Sequence, residues 1–527
     1  MGDTEQRSIR DGDIEILNTP SRHSDADLDE CFSIDALDGL GKLPPEKSLS
    51  IQNGQRHERY LVVWDDERDP QNPQNWSRLY RWWLTWLVGT LTLNATFSSS
   101  APSGVIQQLK DEFHLSTIVT SLLISLFIAG YCVYRPLLWG PLSEAYGRRP
   151  VWVISFTCYV AFQLGCALAQ STTQLLVFRF LGGCFAVSPL TTAGGVFADL
   201  WDAKTRGKAM AIFTVAPFAG PALGPMVSGF MNVRGLSWRW LFWVLTIFAG
   251  VCTLSIYFLL PETYAPVILK QKAQRKRRET GDNQWYAPME AAQISFSQKA
   301  TEILFKPWLI FILEPILISL TIYISFLYGC LYLLFEAFPI VYGDNHGLNT
   351  GLQGLVFLPL FIGGGINCTL IVFVENPRYE KLVDHYHPNP VPPEERLRPS
   401  IVGSLLVTIS FFWFAWTSFP SVNVWVPIMA GLPMGLSMIM LFISLLNYIV
   451  DVYLQVAATA LAANTVVRSL FGAIFPLFAS QMYRKLGPQW ASTLLGCILL
   501  AMIPMPLFFI RFGPAIRAKS RYAPPRR

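Results

Sequence analysis

Long apolar runs separated by short polar segments make up most of the chain. Residues up to about 80 are polar and show little periodicity, and apolar runs follow one another from there on. A helix needs about 20 mainly apolar residues to cross a bilayer. The pattern therefore predicts twelve membrane-spanning helices, near 82–102, 117–138, 150–170, 174–197, 208–231, 238–260, 308–335, 351–374, 400–419, 424–447, 456–480 and 490–511.

A polar segment in the middle of the chain divides the predicted spans into two sets of six. The last polar residues form a second tail. The predicted parts, in chain order, are a disordered cytosolic tail, an N-terminal set, a cytosolic central loop, a C-terminal set and a cytosolic C-terminal tail. Their boundaries are 1–80, 81–260, 261–306, 307–512 and 513–527.

Composition agrees with a protein embedded in a lipid bilayer. Of the 527 residues, 52% are hydrophobic and 15% are charged, and the mean hydropathy is +0.36. A soluble domain carries about 25% charged residues. The first 60 residues contain no apolar segment of the kind that a cleavable signal peptide needs. No basic face on a soluble domain is visible, so we expect no nucleic-acid partner.

The distribution of basic residues predicts the orientation in the membrane. If the N-terminus is cytosolic, 33 of the 41 Lys and Arg residues lie in cytosolic segments and 5 lie in outer loops. An excess of positive charge marks the cytosolic side of membrane proteins. Both termini and the central loop are therefore expected in the cytosol.

The chain lacks the patterns that indicate catalysis or a bound cofactor. It has no Gly-x4-Gly-Lys-(Ser/Thr) phosphate-binding loop, and its nine cysteines show no disulfide or zinc spacing. We expect no catalytic residue, metal or cofactor. The Asn-x-Ser/Thr sequences at Asn75, Asn94 and Asn367 fall in the cytosolic tail or in predicted spans, so we expect no glycan there.

A charged loop with two glycines follows the second predicted span. Glycines permit a tight turn between two membrane helices. An acid and a basic pair can exchange partners and so hold one conformation and release another. We predict a conformational latch at Gly140, Glu144, Gly147, Arg148 and Arg149.

With twelve spans in two sets, this loop resembles the signature loop of the major facilitator superfamily. Ala145 stands where that loop commonly has a basic residue. The resemblance implies an all-α membrane protein whose twelve transmembrane helices form two six-helix bundles around a central cavity, the major facilitator fold. Substrate would bind near the membrane midplane, and access would alternate as the bundles rock.

Arg179 lies inside the fourth predicted span. A buried arginine in lipid is costly and normally faces a cavity or a partner. The resemblance implies a role in proton coupling, because the fourth-span arginine of this superfamily's antiporters is tied to it. A purely structural salt bridge is the alternative.

The fifth predicted span is rich in glycine and proline. Gly220 and Gly224 lie one helical turn apart and permit close helix packing, and the prolines loosen the helix. The span resembles the motif of drug:proton antiporters, with Ala216 and Pro225 in place of two of its glycines. Plain small-residue packing is the alternative. The antiporter-motif residues are Gly207, Pro217, Gly220, Pro221, Gly224 and Pro225.

Three further segments resemble the fungal twelve-span drug:proton antiporters. They are the stretch from Leu260 to Pro266, the eleventh span around Asn464, and residues 517–524 at the end of the chain. The resemblance covers roughly residues 64–524. It implies the plasma membrane as the location, with a vacuolar or vesicle membrane as the alternative.

The remaining intramembrane polar groups supply further site candidates. A carboxyl in a low-dielectric site can carry a proton. Glu314 precedes Pro315 and so lies beside a predicted break in the seventh span; with Arg468 it is a candidate for proton coupling. Asn464 and Glu336 are candidates for the substrate cavity. Each of these groups could instead be a satisfied pair or an interface group.

The resemblance implies proton-coupled efflux of small amphipathic compounds, such as a toxin, a drug or a secondary metabolite. The expected partners are a small-molecule substrate, protons and the lipid bilayer, and we expect a monomer. Two alternatives stay open. One is proton-coupled uptake of a nutrient by the same fold, and the other is a non-transporting membrane sensor or scaffold.

Overall fold

The computed structural model describes residues 60–134, 139–291, 305–387 and 389–522. The chain divides into Met1–Leu61, of which only the last two residues are described, and Val62–Arg527, which holds every element below. The predictions for residues 1–59 lie outside the described residues.

Six long helices make up the N-terminal half. Most begin at a serine or aspartate whose side chain accepts a hydrogen bond from the first turn; Ser77, Ser171, Asp202 and Ser237 are such residues. The helices are α1 Arg78–Ser100, α2 Thr117–Tyr134, α3 Arg148–Ala167, α4 Thr172–Leu200, α5 Ala203–Val233 and α6 Trp238–Leu259.

Six further helices make up the C-terminal half. They are α7 Pro315–Phe338, α8 Thr350–Tyr386, α9 Arg398–Thr417, α10 Trp425–Val452, α11 457–486 and α12 488–517. The last two run as one helical stretch that is interrupted at Gly487. The φ of Gly487 is 78°, a conformation that glycine adopts without strain and other residues do not. The loop predicted between 480 and 490 is therefore no more than this single turn.

The helices correspond to the twelve predicted spans. By length and composition alone, nine helical stretches in the described ranges are fit to cross a membrane, and one of them, Thr459–Arg517, contains both α11 and α12. The 23-residue α1 and the 18-residue α2 complete the set. The predicted all-α class with two sets of six spans is confirmed.

The break predicted beside Pro315 is confirmed, and it divides the seventh predicted span, 308–335, whose boundaries are therefore wrong. Residues Lys306–Leu313 form a separate short helix, and Glu314 adopts an extended backbone before α7 begins. Pro315 is the cause, because proline disfavours a helical conformation at the residue before it and brings no N–H of its own.

The predicted polar tail 1–80 is too long at its C-terminal end. Val62, Leu269, Ala273 and Ala287 form a small buried cluster in which the segment before α1 packs on the linker helix Ala265–Thr280. The backbone N–H of Val62 also donates to the Tyr286 carbonyl at 2.9 Å. The central loop 261–306 therefore contains a helix and a docking surface for residues 62–69.

Two ends of the molecule serve as landmarks. The linker face carries the start of α1 at Arg78, the start of α3 at Arg148, the end of α6 at Leu259 and the start of α7 at Pro315. The opposite face carries the turns between α1 and α2, α5 and α6, and α7 and α8. Contacts across these turns, such as Gln108 with Asn232 at 2.7 Å, group them at one end.

The two halves meet along α5 with α8 and along α2 with α11. Near the opposite face the approach is close. A Cβ at Gly354 would lie 2.5 Å from the Met226 Cα atom, and the Asn232 side chain donates to Thr350 Oγ1 at 3.1 Å. In the described residues, each ion pair lies within one half, within residues 265–291, or between the linker helix and the segment before α1.

Candidate functional site

Arg179 on α4 is fully buried and is held by backbone carbonyls. Its guanidinium donates to Leu123 O at 2.9 Å, Ser98 O at 2.8 Å and Ser99 O at 3.2 Å. Its Cζ lies 4.2 Å from the Phe127 ring centre. Among the described residues no carboxylate lies within 4 Å, so the salt-bridge alternative does not hold there.

The end of α1 explains why these carbonyls are available. In a regular helix the Ser98 carbonyl would accept from residue 102, but Pro102 has no N–H to donate. The α-helix ends at Ser100, and a 3-10 turn, Ala101–Val105, follows. Helix C-termini present unpaired carbonyls that attract cations. The Arg179 charge is therefore stabilised by the end of α1.

Arg468 on α11 lies in a different environment. Its side chain is 9% exposed, and its guanidinium carbon lies 5.1 Å from the Tyr328 ring centre and 5.5 Å from that of Phe442. Its Nε atom is buried and has no hydrogen-bond partner in the part of the chain that the structure describes. No described carboxylate lies within 4 Å of it.

A line of polar groups joins the two arginines across the boundary between the halves. The Ser99 hydroxyl shares a hydrogen bond of 3.1 Å with the Tyr332 hydroxyl, and the Tyr328 hydroxyl donates to Tyr332 at 3.5 Å. Ser99 belongs to α1 and the two tyrosines belong to α7. The polar line thus runs from Arg179 through these three residues to the ring beside Arg468.

Aromatic packing encloses the same region. The Phe442 ring lies 5.6 Å from the Phe218 ring, so α10 and α5 of opposite halves also meet here. Sequence reasoning found the two arginines and missed Ser99, Tyr328 and Tyr332. The tyrosines are spaced four apart on an apolar helix, which is a detectable pattern, but their partners lie too far away in the sequence to be recognised.

The predicted cavity residues Asn464 and Glu336 both carry unpaired buried atoms. Asn464 lies one helical turn before Arg468, donates to Thr321 Oγ1 at 3.1 Å and leaves its own Oδ1 unpaired among the described residues. Glu336 lies one turn beyond Tyr332 on α7, faces the Ser121 hydroxyl of α2, and has an unpaired Oε1. Glu336 is therefore half-buried between the halves, with its Oε1 atom shielded from solvent.

Glu314 lies far from this region. Its carboxylate accepts hydrogen bonds from the Tyr453 hydroxyl at 2.9 Å and from the Ser520 hydroxyl at 2.8 Å. It precedes Tyr328 by 14 residues on the same chain segment, or about 21 Å of helix. Glu314 lies at the linker face and fastens the segment after α12 to the start of α7, so the structure does not bring it together with Arg179 and Arg468.

The loop between α2 and α3 uses acids other than the predicted one. Arg148 pairs with Asp199 at 3.4 Å, and the backbone N–H groups of Arg148 and Arg149 donate to the Glu262 carboxylate at 2.9 and 3.2 Å. Glu144 is exposed and has no ion-pair partner among the described residues. The acid that is nearest in sequence is therefore not the partner in space.

The two glycines of this loop differ in their surroundings. Gly147 has a φ of 101°, and a Cβ there would lie 2.3 Å from a Glu262 carboxylate oxygen. Gly140 has open space around it. Only Gly147 is therefore required by its backbone conformation and by the approach of the acid.

A similar arrangement occurs in the C-terminal half. Arg396 pairs with Asp451 at 3.1 Å, and Arg517 makes two hydrogen bonds of 3.0 Å to the Glu394 carboxylate. Arg396 precedes α9 as Arg148 begins α3, and Asp451 ends α10 as Asp199 ends α4. Comparing the two sets of six spans position by position could have found this pair from the sequence.

The antiporter-motif residues of α5 form a packing surface. A Cβ at Gly220 would lie 2.5 Å from the Phe97 nitrogen, and one at Gly224 would lie 2.2 Å from the Ser100 hydroxyl. Pro225 contacts α8 through its carbonyl, which a Cβ at Gly354 would meet at 2.5 Å. Gly207 has open space around it. Pro217 and Pro221 lie inside α5, together with Pro225.

Comparison with known sequences finds one family and many relatives. The sequence model of the Major Facilitator Superfamily matches residues 88–476. A major facilitator superfamily multidrug transporter of Aspergillus fumigatus is 40% identical over 89% of this chain and 77% of its own length. An efflux pump of Trichophyton rubrum is 42% identical over 89% and 78%. A citrinin biosynthesis cluster transporter of Monascus ruber is 40% identical over 88% and 93%.

Solved structures share the same fold at low sequence identity. A partially occluded, inward-open xylose transporter from E. coli superposes with a TM-score of 0.58 at 18% identity, covering 82% of this chain and 99% of the other. A human organic anion transporter superposes with a TM-score of 0.56, also at 18% identity, over 82% and 100%. These likenesses concern the helix arrangement alone.

Proposed function

Because this chain belongs to the major facilitator superfamily, we propose that it exports small amphipathic compounds, such as drugs, toxins or secondary metabolites, in exchange for protons. Relatives at about 40% identity are named as a multidrug transporter, as efflux pumps and as transporters of biosynthesis clusters. Those names support outward transport of small molecules.

One observation carries the proposal: the polar line between Arg179 and Arg468 crosses the boundary between the two bundles. Transport by alternating access requires the bundles to separate on one side and close on the other. The hydrogen bond between Ser99 and Tyr332 is one of the contacts that must break as the opposite face opens. Cargo entering from the linker face would reach this buried region first.

The loop latches belong to the same cycle. The Arg148–Asp199 and Arg396–Asp451 pairs each hold the linker-face end of one bundle, and Glu262 ties the start of α3 to the end of α6. We propose that these ties keep each bundle rigid while the bundles rock against each other. Arg148 and Arg149 act in this latch with Asp199 and Glu262, in place of the predicted Glu144.

Proton coupling needs a group that can release a proton, and an arginine guanidinium does not. Asp199 and Asp451 face arginines, and Glu314 is bound at the linker face. Glu336 is half-buried between the halves, its Oε1 atom has no described hydrogen-bond partner, and no described cation lies within 4 Å of it, so it is our candidate for the proton carrier. Arg179 supplies a fixed positive charge beside the cargo path.

We also propose that the linker face is cytosolic. The unpaired and paired basic residues of the linker helix lie on this side, as does most of the positive charge of the loops. Both termini would then be cytosolic, and the protein would act as a monomer in the plasma membrane.

Cellular accumulation of labelled amphipathic compounds tests the proposal. The host is depleted of its own pumps, and accumulation is measured with and without the protein and with and without a protonophore. We expect cells that express the protein to accumulate less of the compounds than cells without it. The protonophore should raise their accumulation back to the level of cells without the protein. Higher accumulation on expression would indicate uptake, and no change across a broad panel would contradict the proposal of drug export.

Two variants separate coupling from binding. Glu336→Gln is expected to retain cargo binding while losing the dependence of export on the proton gradient. Glu380→Gln, which removes an exposed carboxyl from α8, is the matched control and is expected to export normally. Proton-dependent export that is unchanged in Glu336→Gln would exclude this residue as the carrier.

A further inference from the structure

The positive charge of Arg468 has no counter-charge in the described part of the chain. Its side chain is more than nine-tenths buried, and its described neighbours are the Tyr328 and Phe442 rings. A cation over a ring gains only part of what a buried charge loses on leaving water. Its Nε atom also points to no described acceptor. Arg468 therefore retains the capacity to bind an anion.

A polar atom on the same face of α11 as Arg468 is unpaired as well. Asn464 lies one helical turn before Arg468, and its Oδ1 atom is buried without a described partner. Buried polar groups are nearly always hydrogen-bonded. An unpaired acceptor one turn from an unpaired cation indicates a site that a polar occupant completes.

Arg179 does not offer the same site. Three of its guanidinium nitrogens already donate to carbonyls of α1 and α2. It contributes positive potential at the other end of the polar line, but it has less free hydrogen-bonding capacity. Because of this difference, the candidate site for an anion lies at Arg468 in the C-terminal bundle and not at Arg179.

We propose that Arg468 binds the anionic group of the cargo, and that the cargo class is therefore organic acids with a planar aromatic body. This inference rests on the proposed export function and specifies its substrate class. A guanidinium binds a carboxylate with two parallel hydrogen bonds, one of which can use the free Nε. The Tyr328, Phe442 and Phe218 rings then cover the aromatic body, since the last two pack together across the bundles at 5.6 Å.

Glu336 is compatible with this assignment. It lies two turns beyond Tyr328 along α7, on the side toward the opposite face. Two turns correspond to about 12 Å of helix, so its carboxyl does not compete directly for the guanidinium. Asn464 Nδ2 is already used by Thr321, which leaves its Oδ1 to accept from a hydroxyl or a protonated group of the cargo.

Binding of a matched pair of probes to the purified full-length protein in lipid nanodiscs tests the inference. The probes are 1-naphthoic acid, which is ionised at pH 7.5, and its neutral primary amide, which has nearly the same size and shape. We expect the wild-type protein to bind the acid at least about tenfold more tightly than the amide, because a charge-assisted pair is stronger than a neutral hydrogen bond.

Substitutions at Arg468 locate the preference. In Arg468→Gln the acid should lose its advantage while the amide binds within about twofold of wild type, which also shows that the variant is folded. Arg468→Lys should retain part of the preference, and Arg511→Gln, which removes an exposed positive charge on α12, should retain all of it. Equal binding of both probes by the wild type, no binding of either, or a preference that survives in Arg468→Gln would overturn the inference.

Export of the same two probes from cells separates this inference from the proposed function. Protonophore-sensitive export without preference for the acid would leave the export function standing and refute the anion site. Preferential binding of the acid without export of either probe would support the anion site and contradict the export function.

Discussion

The two bundles bury their arginines in opposite ways. In the N-terminal bundle all three guanidinium nitrogens of Arg179 donate to carbonyls, those of Ser98 and Ser99 at the proline-terminated end of α1 and that of Leu123 on α2. In the C-terminal bundle Arg468 lies against the rings of Tyr328 and Phe442. The same side chain is thus part of the internal hydrogen-bonding of one bundle and an unsatisfied group in the other.

This difference separates structural from functional use of a buried charge. A cation whose hydrogen-bonding capacity is filled contributes a fixed potential and stabilises its surroundings. A cation whose capacity is unfilled is expensive in the empty protein and gains most when a ligand arrives.

The largest expected effect is on stability. Arg179→Met removes three hydrogen bonds and leaves their carbonyls buried, which should lower the free energy of unfolding by at least about 3 kcal/mol, since each unpaired group costs about 1–3 kcal/mol. Arg468→Met loses no described hydrogen bond and removes an unsatisfied buried cation, so it should leave stability unchanged or raise it. Thermal unfolding of both purified variants, followed by size-exclusion chromatography, measures the difference. Equal losses would remove the distinction between the two arginines.

Glycines at helix crossings allow packing within one bundle to be compared with packing between the two bundles. A Cβ at Gly435 would lie 1.8 Å from the Leu360 carbonyl inside the C-terminal bundle, and one at Gly354 would lie 2.5 Å from Met226 of the other bundle. Gly435→Ala should therefore lower stability by about 1–3 kcal/mol. Gly354→Ala should leave stability nearly unchanged, because the bundles can separate slightly, and should slow transport.

Melting temperature and transport rate, measured on the same preparations, test this expectation. Gly207→Ala is the matched control, since a Cβ there meets open space, and both quantities should stay at wild-type values. A loss of stability in Gly354→Ala as large as that in Gly435→Ala would indicate that the bundles do not move apart along α5 and α8.

The charged clusters at the linker face differ in burial between the halves. The Arg148 and Asp199 side chains are 7% and 15% exposed, against 26% and 19% for Arg396 and Asp451. Removing one partner of a buried pair leaves an uncompensated charge, whereas partly exposed charges are solvated. Asp199→Asn should therefore slow transport more than Asp451→Asn. The free energy lost by breaking the ion pair should be about 2 kcal/mol for Asp199→Asn and about 1 kcal/mol or less for Asp451→Asn.

Transport of one cargo by both variants, at equal amounts of protein in the membrane, provides the measurement. Adding Glu144→Gln gives a further comparison, because Glu144 is exposed and has no described ionic partner. If Glu144→Gln slowed transport as strongly as Asp199→Asn, the acid predicted from the sequence would be part of the latch after all.

The helices were predictable from the sequence because the length and hydrophobicity of each apolar run are enough to predict a membrane span. The predicted all-α fold in two sets of six needed only run length and charge. The end of a helix is less well determined. Residues Lys306–Leu313 are as apolar as α7 itself, so hydropathy merged them with α7 into one span and counted the extended Glu314 inside it.

The candidate site was predictable only where a single charged side chain stands in an apolar helix, because burying such a charge costs free energy whatever its partners are. Arg179 and Arg468 are conspicuous in apolar helices wherever their partners lie. Ser99 and Tyr332 are ordinary residues separated by 233 positions, and only the approach of α1 to α7 gives them a role. The same reasoning explains Asp199, which was passed over in favour of Glu144 because the nearer acid in the sequence was taken as the partner.

The smallest expected effect concerns the segment that connects the two bundles. Lys272 of the linker helix donates to the buried Asp69 carboxylate at 2.8 Å, and this hydrogen bond is the main reason that the pKa of Asp69 lies below its ordinary value of 3.8. A depressed pKa in the folded state means that the pair stabilises the docked segment above about pH 3.8 and that this contribution is lost as the pH falls through the folded value.

Amide hydrogen exchange of the linker helix, corrected for the intrinsic effect of pH, measures this contribution. Protection should be constant between pH 7 and about pH 4.5 and should fall only at lower pH. Asp69→Asn should lose about 1 kcal/mol of protection at pH 6.5, while Glu67→Gln, at an exposed position of the same segment, should lose none. If Asp69→Asn left protection unchanged, the docked segment would depend on its other contacts, which are the apolar cluster around Val62, the backbone hydrogen bond from Val62 to Tyr286 and the ion pair of Asp65 with Lys272 at 2.8 Å.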